Sequence, residues 1–170
     1  NVPDYYWDRE NWYKELDITA DVIPGLAISK YAELFKKLVN DWKINPVLAS
    51  VVLIQYPKRL LKKKLKVELL TVEIMEEIFS VYKEGVIFKE GILIAMELAI
   101  KNNKDFIEYF KPVITKKDLQ NQFNKSLLDF KKIELNNSEN KKIVLLGLLM
   151  NRIRGKVDAK KVIDFVDNTK

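Results

Sequence analysis

Apolar residues recur along this chain with the spacing of amphipathic helices, and no stretch alternates with the period of two expected for a strand. In residues 26–42 the apolar positions follow i, i+3, i+4 and i+7, which predicts a single helix there. These positions are Ile28, Tyr31, Ala32, Phe35, Leu38, Val39 and Trp42. The pattern predicts an all-α protein.

Proline residues mark the next helix. Asn45 precedes Pro46, whose fixed φ and missing N–H suit the first turn of a helix over residues 47–61. Pro57 lies inside that pattern and should kink or end the helix near Tyr56.

Further helices are bounded by capping residues. Thr71 and Thr115 can each accept a free N–H at the start of a helix. A helix that opens at Lys89 should end near residues 102 and 103, and residues 106–110 form a short connecting turn.

The most apolar helix follows Ser138, which can cap it. Little of its circumference is polar, so we expect it in the middle of a bundle. Gly147 inside this helix indicates close packing against a neighbour, because glycine otherwise destabilises a helix by about 1 kcal/mol. Gly155 is placed to end it in the left-handed conformation, and Asp158 to cap the last helix. The residues assigned to this structural hinge are Gly147, Met150, Gly155 and Asp158.

The elements predict two small helical bundles in series. An N-terminal aromatic and acidic segment covers residues 1–25, a helical domain residues 26–103, and a three-helix tail domain residues 104–170. The N-terminal segment should dock on the core or on a partner, since its acidic residues disfavour base stacking against a phosphate backbone.

Composition limits the chemistry available to the chain. Its 170 residues are 48% hydrophobic, enough for one sizeable core or two small ones, and they include neither histidine nor cysteine. We therefore expect no catalytic centre and no metal site of the common kinds. The chain has no long apolar run or signal peptide, which favours a cytoplasmic location without a membrane. Because it begins at Asn1, we expect a fragment of a longer protein.

The positive charge is concentrated in the last third of the chain. Residues 1–112 hold 17 basic and 17 acidic side chains, whereas residues 113–170 hold 13 basic and 7 acidic ones. A one-sided basic surface attracts polyanions, so this charge is consistent with RNA binding. An ordinary solvated surface is the alternative interpretation. A second basic run, over residues 58–66, is equally consistent with a solvated helix end.

The hinge should carry its cationic side chains into solvent at a fixed angle. Arginine presents a planar fork to phosphate, and lysine adds less directional attraction. A structural role is the alternative. In that case Gly155 is needed for its left-handed backbone angle, and Arg154 donates to carbonyl groups at the end of the helix. The candidate RNA-binding residues are Arg152, Arg154, Lys156, Lys160, Lys161, Lys141 and Lys142.

Three motifs resemble one protein family. A glycine, a methionine three residues later, and then Arg-Gly-Lys-x-Asp occur at Gly147, Met150, Arg154, Gly155, Lys156 and Asp158. This pattern resembles the C-terminal tails of the amidotransferase B and E subunits. Residues 85–90 resemble a second motif of that family, and residues 46–50 with 58–60 are more similar to the archaeal E subunit. Asn151 replaces a usual lysine and Gly91 a usual alanine.

The resemblance implies a tRNA-binding role. In glutamyl-tRNA(Gln) amidotransferase, the E subunit uses ATP and magnesium to phosphorylate glutamate on tRNA, and a D-subunit partner supplies ammonia. The kinase lies in an N-terminal cradle that this chain lacks, while the helical and tail domains hold the outer corner of tRNA near the D-loop. The fragment would then bind tRNA(Gln) and need no cofactor itself. The alternative is a helical protein-interaction module that does not contact RNA.

Overall fold

The computed structural model describes residues 5–102, 106–110, 115–131, 133 and 141–168. Within these ranges all the regular elements are helices, which confirms the all-α prediction. None of the helices in the described part is long and apolar enough to span a membrane.

The helices form two hydrophobic cores, the first built from α1 to α8 and the second from α9 to α11. The first group is α1 (Tyr6–Glu15), α2 (Ile23–Ala27), α3 (Ala32–Asn40), α4 (Pro46–Ser50), a π-helical turn (Val51–Gln55), α5 (Tyr56–Lys62), a 3-10 turn (Val67–Leu69), α6 (Val72–Lys83), α7 (Lys89–Asn102) and α8 (Phe106–Phe110). The second group is α9 (Lys116–Phe130), α10 (Lys141–Ile153) and α11 (Ala159–Asn168).

The N-terminal aromatic segment packs on the first core. Tyr13 is buried, and its ring meets Phe35 edge-on at a centroid distance of 5.1 Å. Burial raises the pKa of Tyr13 to about 12, because desolvation disfavours its ionised form. Phe106 and Phe110 are also buried in this core, although the sequence predicts the end of the helical domain at residue 103.

The single helix predicted over residues 26–42 is wrong, because the structure divides this region between α2 and α3. The Ser29 hydroxyl donates to the Leu26 carbonyl and accepts the Tyr31 N–H, which offers the backbone an alternative to helical hydrogen bonds. Ile28, assigned to the apolar face, is 77% exposed at this break.

Pro57 does not end its helix. The Tyr56 N–H donates to the Val51 carbonyl five residues earlier, so a π-helical turn precedes the proline. In an unbroken α-helix the proline ring would clash with a carbonyl four residues back. A change of hydrogen-bond register lets the helix continue past the proline, so it does not end near Tyr56, which was one of the two predicted outcomes.

The predicted caps are confirmed wherever the structure describes them. The side chains of Thr71 and Thr115 each accept a backbone N–H at the start of their helices. The side chain of Asn45, which was not predicted as a cap, accepts the Leu48 N–H at the start of α4 in the same way. The Asp158 carboxylate accepts the Lys160 N–H at 2.8 Å. The cap predicted at Ser138 lies outside the described residues.

The second core contains α10, the helix predicted to lie in the middle of a bundle. Its buried members are Leu119, Phe123, Leu149, Ile153, Val162 and Val166. Only Leu149 and Ile153 of α10 are buried, and Ile143 is 68% exposed. α10 packs against both α9 and α11, so it is the middle helix of this bundle, as its composition predicts, although one of its faces remains in solvent.

Close backbone packing occurs at a different glycine from the one predicted. A methyl group on Gly147 would meet nothing within 4 Å, so the close approach predicted there is wrong. On Gly155 it would lie 2.2 Å from the Gly91 Cα, and on Gly91 it would lie 2.9 Å from the Gly155 Cα. This contact, which we call the Gly91–Gly155 crossing, joins α7 of the first core to the α10–α11 connection of the second.

Gly155→Ala and Gly147→Ala should have opposite effects on stability. The first adds a methyl group against the Gly91 backbone at a residue with φ of +77°, so we expect the free energy of unfolding to fall by more than about 2 kcal/mol. The second substitution lies at an open, exposed helical position, where alanine should raise the free energy of unfolding by about 0.5–1 kcal/mol. Urea unfolding followed by circular dichroism measures both. Equal effects would contradict the crossing.

Thr115→Ala should destabilise α9. Thr115 and Asp118 form a reciprocal capping box, and loss of such a cap costs about 1 kcal/mol. Thr115→Ser keeps the hydroxyl and should leave the unfolding midpoint close to that of the unchanged protein. A midpoint that falls as far with serine as with alanine would show that the methyl group matters and the cap does not.

The same capping box should make α9 sensitive to acid. Hydrogen bonds from the Thr115 hydroxyl and backbone N–H lower the pKa of Asp118 below its ordinary value of 3.8. A group whose folded pKa is lowered stabilises the protein above its unfolded pKa, and that contribution is lost as the pH falls through the folded pKa. We therefore expect the stability difference between the unchanged protein and Asp118→Asn to be present at pH 6 and to shrink below about pH 4. Unfolding curves across this range measure it.

Candidate nucleic-acid interface

The connection between α10 and α11 is short and geometrically fixed. Ile153, the last residue of α10, is buried, and its carbonyl accepts the Lys156 N–H at 3.0 Å. Gly155 has the left-handed φ of +77° that commonly closes a helix, as the sequence predicts. Two basic residues, Arg154 and Lys156, therefore flank a buried glycine whose backbone cannot move freely.

Contacts with α7 hold this connection in place. The Phe88 N–H, just before α7, donates to the Gly155 carbonyl at 3.1 Å. A methyl group on Gly155 would also lie 3.2 Å from the ring of Phe110. The hinge is thus docked on the first core rather than projecting freely from the second.

Docking places Arg154 beside basic residues of the first core. Its exposed side chain lines an open depression of about 250 Å³ between α5, α7 and the hinge. We call this the junction depression. The charged residues that line it are Arg59, Lys63, Lys89, Glu90, Glu97 and Arg154.

The Glu97 carboxylate is neutralised locally. Lys63 and Lys101 each place an ammonium group 2.9 Å from one of its oxygens. Hydrogen bonds from Lys101, followed by those from Lys63, lower the pKa of Glu97 below its ordinary value. Glu97 therefore stays ionised, and its charge compensates that of Lys63.

Lys156 lies against an aromatic ring. Its Nζ is 4.0 Å from the centroid of the Tyr109 ring, and Tyr109 is 42% exposed. A cation–π contact at a partly exposed site contributes about 0.5–1 kcal/mol and limits the conformations of the lysine. An exposed ring beside a cation is also suited to stacking on an unpaired base.

Two of the predicted cations form surface ion pairs. Arg152 pairs with Asp129 of α9, and Lys142 pairs with Asp167 of α11. All four side chains are at least a third exposed, so each pair contributes at most about 1 kcal/mol. These cations are partly compensated but remain on the surface.

The remaining predicted cations are exposed. Within the described ranges no ion pair is formed by Lys141, Lys160 or Lys161. Lys161 lines an open groove of about 750 Å³ in the second core, together with Thr115, Asp164 and Phe165.

The seven predicted residues do not form one cluster. Arg152, Arg154 and Lys156 lie at the C-terminal end of α10, whereas Lys141 and Lys142 lie at its start. Because an α-helix rises about 1.5 Å per residue, these two groups are roughly 18 Å apart. Lys160 and Lys161 begin α11 on the hinge side. The cations form a dispersed surface, with the hinge group as its most fixed part.

The seven residues predicted from the sequence omit the cations that the first core contributes, although Arg59 lies in the basic run already considered as a possible phosphate contact. Arg59 and Lys89 face the same depression as Arg154, although they are far from it in the chain. Both lie in segments that carried the family resemblance, and this was the available signal. Among the described residues no cluster of acidic side chains is arranged to hold a metal ion.

Comparisons with known proteins agree with the motifs. No protein-family model matches the chain, and no solved structure does. The chain is 26% identical over 158 residues to the glutamyl-tRNA(Gln) amidotransferase E subunit of Sulfurisphaera tokodaii, a match that covers 89% of this chain and 25% of that protein. It is 25% identical over 174 residues to the E subunit of Methanocaldococcus jannaschii, covering 98% of this chain and 28% of that one.

A third relative, the E subunit of Sulfolobus acidocaldarius, is 24% identical over 155 residues, covering 88% of this chain and 24% of its own length. The chain thus spans about a quarter of the length of the curated relatives it matches. The resemblance predicted from three motifs is confirmed, since the chain is similar over nearly its whole length to part of the E subunit of glutamyl-tRNA(Gln) amidotransferase.

Proposed function

We propose that this chain is the helical and tail region of a glutamyl-tRNA(Gln) amidotransferase E subunit and that it binds tRNA(Gln). In this proposal it holds the outer corner of the tRNA on the D-loop side while the rest of the enzyme converts Glu-tRNA(Gln) to Gln-tRNA(Gln). The chain itself contributes binding and no catalytic group.

The observation that carries the proposal is the rigid, exposed basic hinge. Arg154 is exposed and Gly155 is fixed by the Gly91–Gly155 crossing, so the backbone position from which the Arg154 side chain extends depends on both cores. An arginine on a fixed backbone loses less conformational entropy on binding a phosphate than one on a mobile loop. The similarity to the amidotransferase E subunits supports tRNA as the polyanion.

The exposed cations of the second core support binding by shape rather than by base sequence. Lys141, Lys160 and Lys161 are spread around the bundle and would reach phosphates at several points. Folded RNA presents an irregular phosphate surface with a deep, narrow major groove, so side chains contact its backbone and unpaired bases. Dispersed lysines suit this mode of recognition.

The remaining parts of the proposal come from the resemblance alone. The parent enzyme would bind ATP and magnesium in a separate cradle domain and would work with the remainder of the E subunit and a D-subunit glutaminase-like partner. The residues of this chain are assigned no part in that chemistry.

The alternative is a protein-interaction module that does not contact RNA. Tyr5 and Trp7 favour it, because both are about half exposed and stack at a centroid distance of 4.6 Å. Trp12 and Tyr13 do not, since they pack against Phe35 of the first core. The part of the N-terminus left for a partner is therefore small.

Filter binding with tRNA(Gln) at 50 and 200 mM salt tests the proposal. If about four phosphates are neutralised, affinity should fall on the order of 100-fold between these salt concentrations. Arg154→Ala should weaken binding about tenfold at the lower salt, because a charged hydrogen bond to phosphate is lost.

Lys14→Ala is the matched control. Lys14 is exposed on α1, where it donates to Asn11, and it lies outside the proposed interface. We expect its affinity for tRNA to equal that of the unchanged chain. Salt-independent or undetectable tRNA binding would favour the alternative function, as would equal losses in the two variants.

A further inference from the structure

Three segments that are distant in the chain meet at the junction depression. Arg59 comes from α5, Lys89 from the first residue of α7, and Arg154 from the hinge after α10. The Gly91–Gly155 crossing brings the last of these to the other two, since Gly91 lies two residues after Lys89 and Gly155 follows Arg154. The depression therefore combines cations from both hydrophobic cores.

The depression has more positive than negative charge after local pairing. Glu97 is shared by Lys63 and Lys101, which leaves Arg59, Lys89 and Arg154 facing the single carboxylate of Glu90. Like charges held together in the absence of a ligand repel one another, so an anion bound among them relieves that repulsion.

Arg59 is partly ordered before any ligand binds. Its guanidinium carbon lies 5.8 Å from the centroid of the Tyr56 ring, and Tyr56 also lines the depression. A guanidinium group beside an aromatic ring keeps its N–H groups free to donate at its edge. The fork of Arg59 is thus available to an acceptor in the depression.

The size of the depression favours a small anion. Pockets for drug-sized ligands usually enclose about 300–1,000 Å³. At about 250 Å³ the junction depression is smaller and open, which suits one phosphate group on a larger molecule. An arginine side chain can bind such a group through two parallel N–H donors.

We propose that the junction depression binds a single backbone phosphate of the RNA, held jointly by Arg59 of the first core and Arg154 of the second. This inference rests on the proposed function and deepens it, because it assigns a contact to a residue outside the tail. One phosphate then contacts both cores. The Gly91–Gly155 crossing holds Arg154 next to the helices that carry Arg59 and Lys89.

Salt-dependence measurements on four forms of the full chain test the shared phosphate. These are the unchanged chain, Arg59→Ala, Arg154→Ala and the double variant, each titrated with tRNA(Gln) by fluorescence anisotropy. Each single substitution should weaken binding at least threefold. The slope of log affinity against log salt should fall by about one in the double variant, since each neutralised phosphate contributes about 0.9.

Lys62→Ala is the matched control for Arg59→Ala. Lys62 is exposed on the same helix and does not line the depression. It should bind tRNA within twofold of the unchanged chain. Glu90→Gln should strengthen binding, because it removes the carboxylate that competes with phosphate in the depression.

Three outcomes would overturn the inference. Binding by Arg59→Ala equal to that of the unchanged chain would remove Arg59 from the site, although the proposed function would stand. A slope that falls by about two in the double variant would mean two separate phosphates. Absence of salt-dependent binding by the unchanged chain would overturn the proposed function and the inference together.

Free phosphate is another source of the same chemistry. Inorganic phosphate and ATP can be titrated against the chain at constant ionic strength, with calorimetric detection. Saturable binding that is lost in Arg59→Ala, while tRNA binding is unchanged in that variant, would assign the depression to a free ligand and overturn the proposal. Weak, unsaturated phosphate binding agrees with a site built for RNA.

Discussion

The structure depends on one backbone contact, the Gly91–Gly155 crossing. Neither residue leaves room for a β-carbon, and the Gly155 carbonyl accepts the Phe88 N–H at 3.1 Å. The two hydrophobic cores meet here through main-chain atoms, which have far fewer alternative positions than side chains. This contact makes the hinge a fixed part of the molecule and determines which residues of the first core lie beside Arg154.

Electrostatics follows from this packing. The basic run near the end of α5 and the basic hinge look like separate solvated segments in the sequence, yet they line the same depression. Ion pairs such as Arg152 with Asp129 compensate part of the charge, and Lys156 is held over Tyr109. Among the cations without an ion pair in the described residues, Arg59, Lys89 and Arg154 are brought together by the contact of the two glycines, whereas Lys141, Lys160 and Lys161 are dispersed. Position, more than net charge, distinguishes them from an ordinary lysine-rich surface.

Features that depend on neighbouring residues could be predicted well. The caps at Thr71, Thr115 and Asp158 are confirmed, because a capping side chain reaches an N–H only two or three residues away. The left-handed Gly155 is confirmed for the same reason. The break at Ser29 was missed although its hydrogen bonds are also local, since serine is common inside helices and periodicity outweighed it. The candidate hinge cations could be located, but not their neighbours.

The sequence by itself determined the all-α class, most helix boundaries, the division of charge and the family resemblance, because these follow from short-range periodicity and residue type. Tertiary structure alone decided that Gly147 is open while Gly91 and Gly155 are pressed together, and that α10 has an exposed face. It also decided that Arg59 and Lys89 lie beside Arg154. Periodicity shows which face of a helix is apolar, but the contact partner of that face depends on how the helices pack. Gly91 and Gly155 are 64 positions apart, and nothing in the residues around either one indicates that they are in contact.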